Sequence, residues 1–199
     1  MSIATLSNPT GNKQLNSYEF KFITKISEGT EYPVPLLFYK FKSTRTKKTY
    51  HVHVEIHPNH FYGLKFFLKD HKKEKDKFSI NTNLNEPRPV IYTCINIMLD
   101  VLKKDSHATF GFIGSPTKKE VIREKGQNRI IKIEEEPEDN TKRFRVYKTI
   151  LLTFIGSDLF THQIDIKKST YLLINKAAQA KNPHLLNEIE DYFSSNFYF

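Results

Sequence analysis

The chain has 199 residues, 38% of them apolar, and a single cysteine, Cys94, which excludes a disulfide scaffold and any multi-cysteine zinc site. Lys and Arg outnumber Asp and Glu by 31 to 22, a net charge of +9, and a chain of this length buries roughly 70% of its unfolded surface, enough for one core without cross-links. No apolar run reaches the ~20 residues of a membrane span, and the polar start lacks an apolar signal core, so a cytoplasmic protein is expected, with a single α+β domain over residues 17–199.

Residues 1–16 have turn chemistry (Asn8, Pro9, Gly11, Asn12) and read as a flexible N-terminal arm. Strand candidates follow closely: Tyr18 to Thr24, Val34 to Lys42, Tyr50 to His57, Phe61 to Leu68 and a shorter fifth, Phe78 to Thr82. Their close spacing predicts an antiparallel β-meander of about five strands, because parallel strands need crossovers of a dozen residues or more. From Pro89 to Lys104 the apolar period becomes helical, and only Thr93, Asn96, Asp100 and Lys103 share a polar stripe. So narrow a stripe predicts a buried central helix, covered on more than one side.

His107 to Gly114 reads as a further strand and residues 117–140 as a charged insertion, with a hairpin on Ile130, Ile131 and Ile133 and an acidic tail from Glu134 to Asp139. Thr141 to Phe154 is again helical, Phe160 to Ile166 and Thr170 to Ile174 form a second strand set, and Asn182 and Pro183 open a last helix. The expected class is therefore α+β: a meander with a central helix, then a second strand set and two further helices.

Three clusters bear on function. On Tyr50 to His57, alternation sends Val52, Val54 and Ile56 to one face and His51, His53, Glu55 and His57 to the other. This face is read either as a solvated strand face or as a divalent-metal site with His51, His53 and His57 as ligands. Arg143, Arg145, Tyr147 and Lys148 open the second long helix, and Arg143 falls inside its apolar arc. An arginine directed inward needs an anion, either an internal carboxylate or a phosphate bound by Arg143, Arg145, Tyr147 and Ser115. The third cluster is basic. Residues 1–85 hold 14 basic against 7 acidic side chains, and Lys40, Lys42, Arg45, Lys47 and Lys48, then Lys69, Lys72, Lys73, Lys75 and Lys77, fall in two connections of the meander. With Tyr39, Tyr50, Phe61 and Tyr62 nearby they are expected to form a rim with aromatic platforms, as in sheets that hold single strands by phosphate contact and stacking. Edge lysines that prevent sheet-to-sheet pairing are the alternative.

Several resemblances attach to these residues. Gly114, Ser115 and Thr117, followed by Arg143, Arg145 and Tyr147, resemble a family of small bacterial proteins, common in Bacteroidota, known as a domain of unknown function. That resemblance implies a bacterial α+β domain, although here an insertion separates the two pieces. His51-Val52-His53 is similar to the paired histidines of single-strand-cleaving tyrosine nucleases, but Tyr92 and Tyr147 lack that family's neighbour pattern. A meander followed by a helix looks like the half-domain of the Whirly and PUR single-strand binders, and sheet plus central helix resemble an acetyltransferase in outline, without the glycine-rich turn before Val90 that would take a cofactor pyrophosphate. The leading expectation is a nucleic-acid-binding protein, single strands favoured, in a mobile-element, phage-defence or toxin–antitoxin setting. The alternatives are a metal-dependent nuclease and a protein-interaction module that uses the acidic insertion.

Overall fold

The computed structural model describes residues 16–80, 82, 84–116, 120–123, 130–134 and 136–196. β1 (Phe20–Ile26), β2 (Leu36–Lys42), β3 (Thr49–His57) and β4 (Phe61–Leu68) form an antiparallel meander, followed by α1 (Pro87–Lys104) and β5 (Thr109–Ile113). β6 (Glu120–Arg123) and β7 (Ile130–Glu134) pair as a separate two-stranded sheet within the charged insertion. Then come α2 (Lys142–Phe154), β8 (Phe160–Asp165), β9 (Thr170–Asn175), α3 (Lys176–Lys181) and α4 (Leu185–Asn196). The main sheet has seven strands in the order β1-β2-β3-β4-β5-β9-β8, all neighbours antiparallel except β4 and β5. No described helix is long and apolar enough to cross a membrane.

Three differences from the sequence reading have physical causes. Phe78 to Ile80 is turn and coil rather than a fifth strand, because the Arg143 guanidinium takes the carbonyls of Phe78 and Ile80 that a ladder would need. The second strand set is continuous with the meander, since β9 pairs with β5 along Phe110 to Ile113. Among the described residues three helices rather than two follow α1, because Asn175 accepts from the amides of Ala177 and Ala178 and so caps the short α3. The expected arm, apart from Asn16, lies outside the described residues.

One core lies where α1 and α2 meet the sheet. Tyr39 and Phe41 of β2, Tyr50, Val52 and Val54 of β3 and Tyr62 and Leu64 of β4 pack with Ile91, Ile95 and Met98 of α1 and Phe144 and Leu151 of α2. Each such side chain contributes about 1.5–3 kcal/mol when fully buried. A smaller cluster, Phe61, Leu172 and Ile174 with Ala178, Leu185 and Ile189, lies beneath α3 and α4. The polar stripe of α1 is partnered too: Thr93 Oγ1 accepts from the Tyr18 amide at 2.8 Å and Asn96 donates to Ser17 at 2.9 Å.

Gly114 joins the two pieces of the Gly-Ser and Arg-x-Arg pattern in space. A Cβ there would meet Phe144 at 2.5–2.7 Å, so only glycine lets the first turn of α2 approach the end of β5. The Thr141 hydroxyl donates to the Gly114 carbonyl at 2.6 Å and accepts from the Phe144 amide at 3.1 Å, closing and capping at once.

Candidate nucleic-acid interface

Register builds the basic surface. Because Tyr39, Phe41, Tyr50 and Val52 face the core beneath α1, alternation turns Lys40 and His51 to the other face of the sheet. Lys21 stands opposite Lys40, Lys40 opposite His51 and His51 opposite Phe67. These four positions make a row across four strands at the usual ~4.8 Å spacing. Lys21 and Lys40 are both exposed, and like charges directly opposite each other destabilise a sheet.

His51 is half-buried, with Phe38 and Phe67 edge-on at centroid distances of 5.0 and 5.4 Å. Its imidazole is held below the usual histidine range, first by burial and then by Lys69, Lys72, Lys40 and Lys77. Four lysines from β2 and from the β4–α1 connection therefore act on one ring.

The turn between β2 and β3 and the exit of β4 lie at the same end of the sheet, as the pairs Lys42 with Thr49 and Tyr50 with Leu68 require. Lys48 Nζ bonds Asp70 Oδ2 at 2.6 Å and ties the two connections together. Lys42, Lys47, Lys72 and Lys73 are exposed. Arg45 is exposed as well and donates to the Asn85 carbonyl at 2.9 Å.

The expected aromatic platforms are placed differently. Tyr39, Tyr50, Phe61 and Tyr62 are buried in the two cores, and the three tyrosine hydroxyls each donate to a carboxylate: Asp100 at 2.9 Å, Glu86 at 2.8 Å and Asp105 at 2.9 Å respectively. Phe38, half-buried beside His51, is the ring that remains at the surface of the row.

The histidines of β3 are separated by rings. His53 is 4% exposed and touches Tyr32, Phe38, Phe67 and Phe78 edge-on. Burial first, then Lys77, pushes it down to about 4, so the ring is neutral at pH 7. His57 lies against Tyr192 and Phe193 of α4, with its Nε2 3.5 Å from Glu55, which Lys65 bonds at 2.8 Å. Among the described residues no three His, Cys, Asp or Glu side chains are grouped to hold a metal. His51, His53 and His57 share a face without sharing a coordination point.

At the start of α2 both arginines bond backbone carbonyls. The Arg143 guanidinium donates to the Phe78 carbonyl and, at 2.6 Å, to that of Ile80. Arg145 donates to the Asn140 carbonyl at 2.6 Å. Tyr147 packs against Phe66 and Phe112, and burial pushes its hydroxyl up to about 12. Ser115, half-buried, follows Gly114 near the start of α2.

Two carboxylates that periodicity does not single out bracket α1. Glu86, 3% exposed, precedes the helix and accepts from Tyr18, Ser43, Thr46 and Tyr50 hydroxyls at 2.8–3.0 Å. Burial opposes its charge, yet these hydroxyls hold the carboxyl below its ordinary value. Asp105 follows the helix and accepts from Tyr62 at 2.9 Å and from the His107 amide at 3.0 Å, and it lies 2.7 Å from Nδ1 of His60. Again burial opposes, and His60 and Tyr62 outweigh it, so Asp105 sits below its ordinary value. His60 and Asn59 have φ of 56° and 60° in the β3–β4 turn, closed by the Phe61 amide on Pro58. Two successive positive φ values define the turn that favours Asn-Gly, and a histidine in the second place costs about 1–2 kcal/mol.

Comparison of the chain with family models, curated proteins and solved structures finds no match.

Proposed function

We propose that the face of the sheet opposite α1 binds nucleic acid, led by phosphate contacts from Lys21, Lys40, Lys69, Lys72 and Lys77, with single strands as the expected form. The observation that supports this reading is the direct opposition of Lys21 and Lys40 beside a ring on which four lysines act. A like-charge pair weakens the sheet it sits in, and a polyanion lying across the row removes that cost through counterion release. Phe38 and His51 supply the ring surface between the cations.

The experiment is fluorescence anisotropy with labelled single-stranded oligonucleotides and the matching duplexes. Lys21→Glu converts a like-charge pair into an opposite-charge pair, so the variant should be at least as stable thermally as the parent while binding about tenfold more weakly, a loss of about 1.4 kcal/mol. Unchanged affinity in this variant reduces the lysines to guards of an edge strand.

Acyl transfer is a second reading, favoured by one observation. The parallel strands β4 and β5 pair only over Phe61–Gly63 and Thr109–Gly111 before their ladders part, and a sheet with a helix against it resembles an acetyltransferase in outline. Against it, the residue before α1, where a cofactor pyrophosphate would approach, is the carboxylate of Glu86, which repels phosphate at the helix end that otherwise attracts it. Titration with acetyl-coenzyme A should accordingly give no saturable heat, and binding tighter than about 100 μM, roughly −5.5 kcal/mol, would move the assignment to an enzyme.

A further inference from the structure

At the other end of the sheet the β3–β4 turn, the end of α1 and the α3–α4 connection border an open cleft of about 210 Å³. Its lining includes Asn59, His60, His107, Lys181 and Asn182. Drug-sized ligands occupy roughly 300–1,000 Å³, so this cleft suits a ligand of a few heavy atoms.

Its chemistry is one-sided. The titratable side chains lining it are two imidazoles and an ammonium. The neighbouring carboxylates are engaged behind them: Asp105 accepts from Tyr62 and the His107 amide and faces His60 Nδ1. Glu188 Oε2 accepts from Asn59 at 2.9 Å and Asn182 at 2.8 Å, which ties the two asparagines of the rim together. Because the Asp105 carboxylate is an acceptor, Nδ1 of His60 donates to it, and Nε2 is the ring nitrogen left for a ligand. The His60 side chain is 58% exposed.

We propose that this cleft binds a monosubstituted or free phosphate, with His60 Nε2, His107 and Lys181 facing its oxygens. A phosphodiester offers one charge and only two unesterified oxygens to these three nitrogen groups and is not the expected ligand, which separates the cleft from the proposed nucleic-acid surface at the opposite end of the sheet. Free phosphate and a phosphate terminating a larger molecule share the required chemistry.

The test follows the histidine Cε1–H resonances of the full chain by NMR during titration with inorganic phosphate, methyl phosphate and dimethyl phosphate at constant ionic strength. Saturable shifts at His60 and His107, with either of the first two and absent with dimethyl phosphate, are the expected result. A response to both identifies the ester as an acceptable source, and a response to inorganic phosphate alone restricts the ligand to the free ion. His60→Gln and Lys181→Glu should each weaken binding at least about fivefold, as loss of one charged or hydrogen-bonded partner implies, while the resonances of His53 and His162 stay in place. Equal shifts with dimethyl phosphate, shifts spread over all histidines, no saturable shift, or indifference to both variants would overturn the proposal.

Discussion

The two ends of α1 hold one hairpin turn each through a carboxylate, and they do so to different effect. At its start Glu86 collects four hydroxyls, two of them from Ser43 and Thr46 of the β2–β3 turn, and is sealed from solvent. At its end Asp105 collects one tyrosine hydroxyl and an amide and then holds an imidazole of the β3–β4 turn that remains largely exposed. An 18-residue helix spans about 27 Å, so one element sets the positions of both poles of the sheet. The first arrangement consumes all its polar groups in the fold. The second places an imidazole at the surface at the cost of a left-handed turn residue, the kind of local expense that functional positions carry.

Substitutions at the two ends should separate these roles. Glu86→Gln turns an acceptor oxygen into a donor among four donors and is expected to cost about 3 kcal/mol, the upper range for buried bonds to a charged group, read from urea unfolding. A loss below about 1 kcal/mol would mean that the hydroxyls find other partners. Acid should narrow the gap. The Glu86 carboxyl is held below its ordinary value in the fold, so its contribution is present above the unfolded pKa and vanishes as pH falls below about 4 through the folded one. The difference between Glu86→Gln and the parent should therefore be smaller at pH 3 than at pH 7.

Asp105→Asn removes a half-buried charge whose partners reach solvent, so a smaller loss of about 1 kcal/mol is expected. It should be accompanied by weakened phosphate shifts at His60, and equal losses at Glu86 and Asp105 would erase the contrast between the two ends. His60→Gly is expected to change stability by less than about 1 kcal/mol, because relief of the left-handed backbone offsets the loss of the exposed hydrogen bond to Asp105. A large loss of thermal stability would make His60 a structural residue.

Much of the architecture was legible as period and punctuation. The alternation in β1 to β4, the helical stripe of α1 and the paired strands β8 and β9 arise from local facts that a linear reading sees. The misreadings share a cause in contacts remote along the chain. Phe78 to Ile80 alternates like a strand, yet its carbonyls belong to Arg143, more than 60 residues away. Tyr39, Tyr50 and Tyr62 suggest exposed platforms because they carry hydroxyls, but each hydroxyl reaches a carboxylate on or beside α1, and that bond allows the ring into the core. Lys21 was invisible as a partner of Lys40 because register, with a bulge between Phe22 and Thr24, decides which residues stand opposite. His60 reads as a turn residue until Asp105, 45 positions on, is placed beside it.

The lysines grouped around His51 on the face opposite α1 are the central claim, and the salt dependence of single-strand binding tests it most directly. For the parent protein log affinity should fall linearly with log salt, by about 0.7 for each phosphate neutralised. The double variant Lys21→Ala/Lys40→Ala should lose about 1.4 from that slope while remaining folded. A parent slope near zero, or a slope the double variant leaves unchanged, would contradict the account.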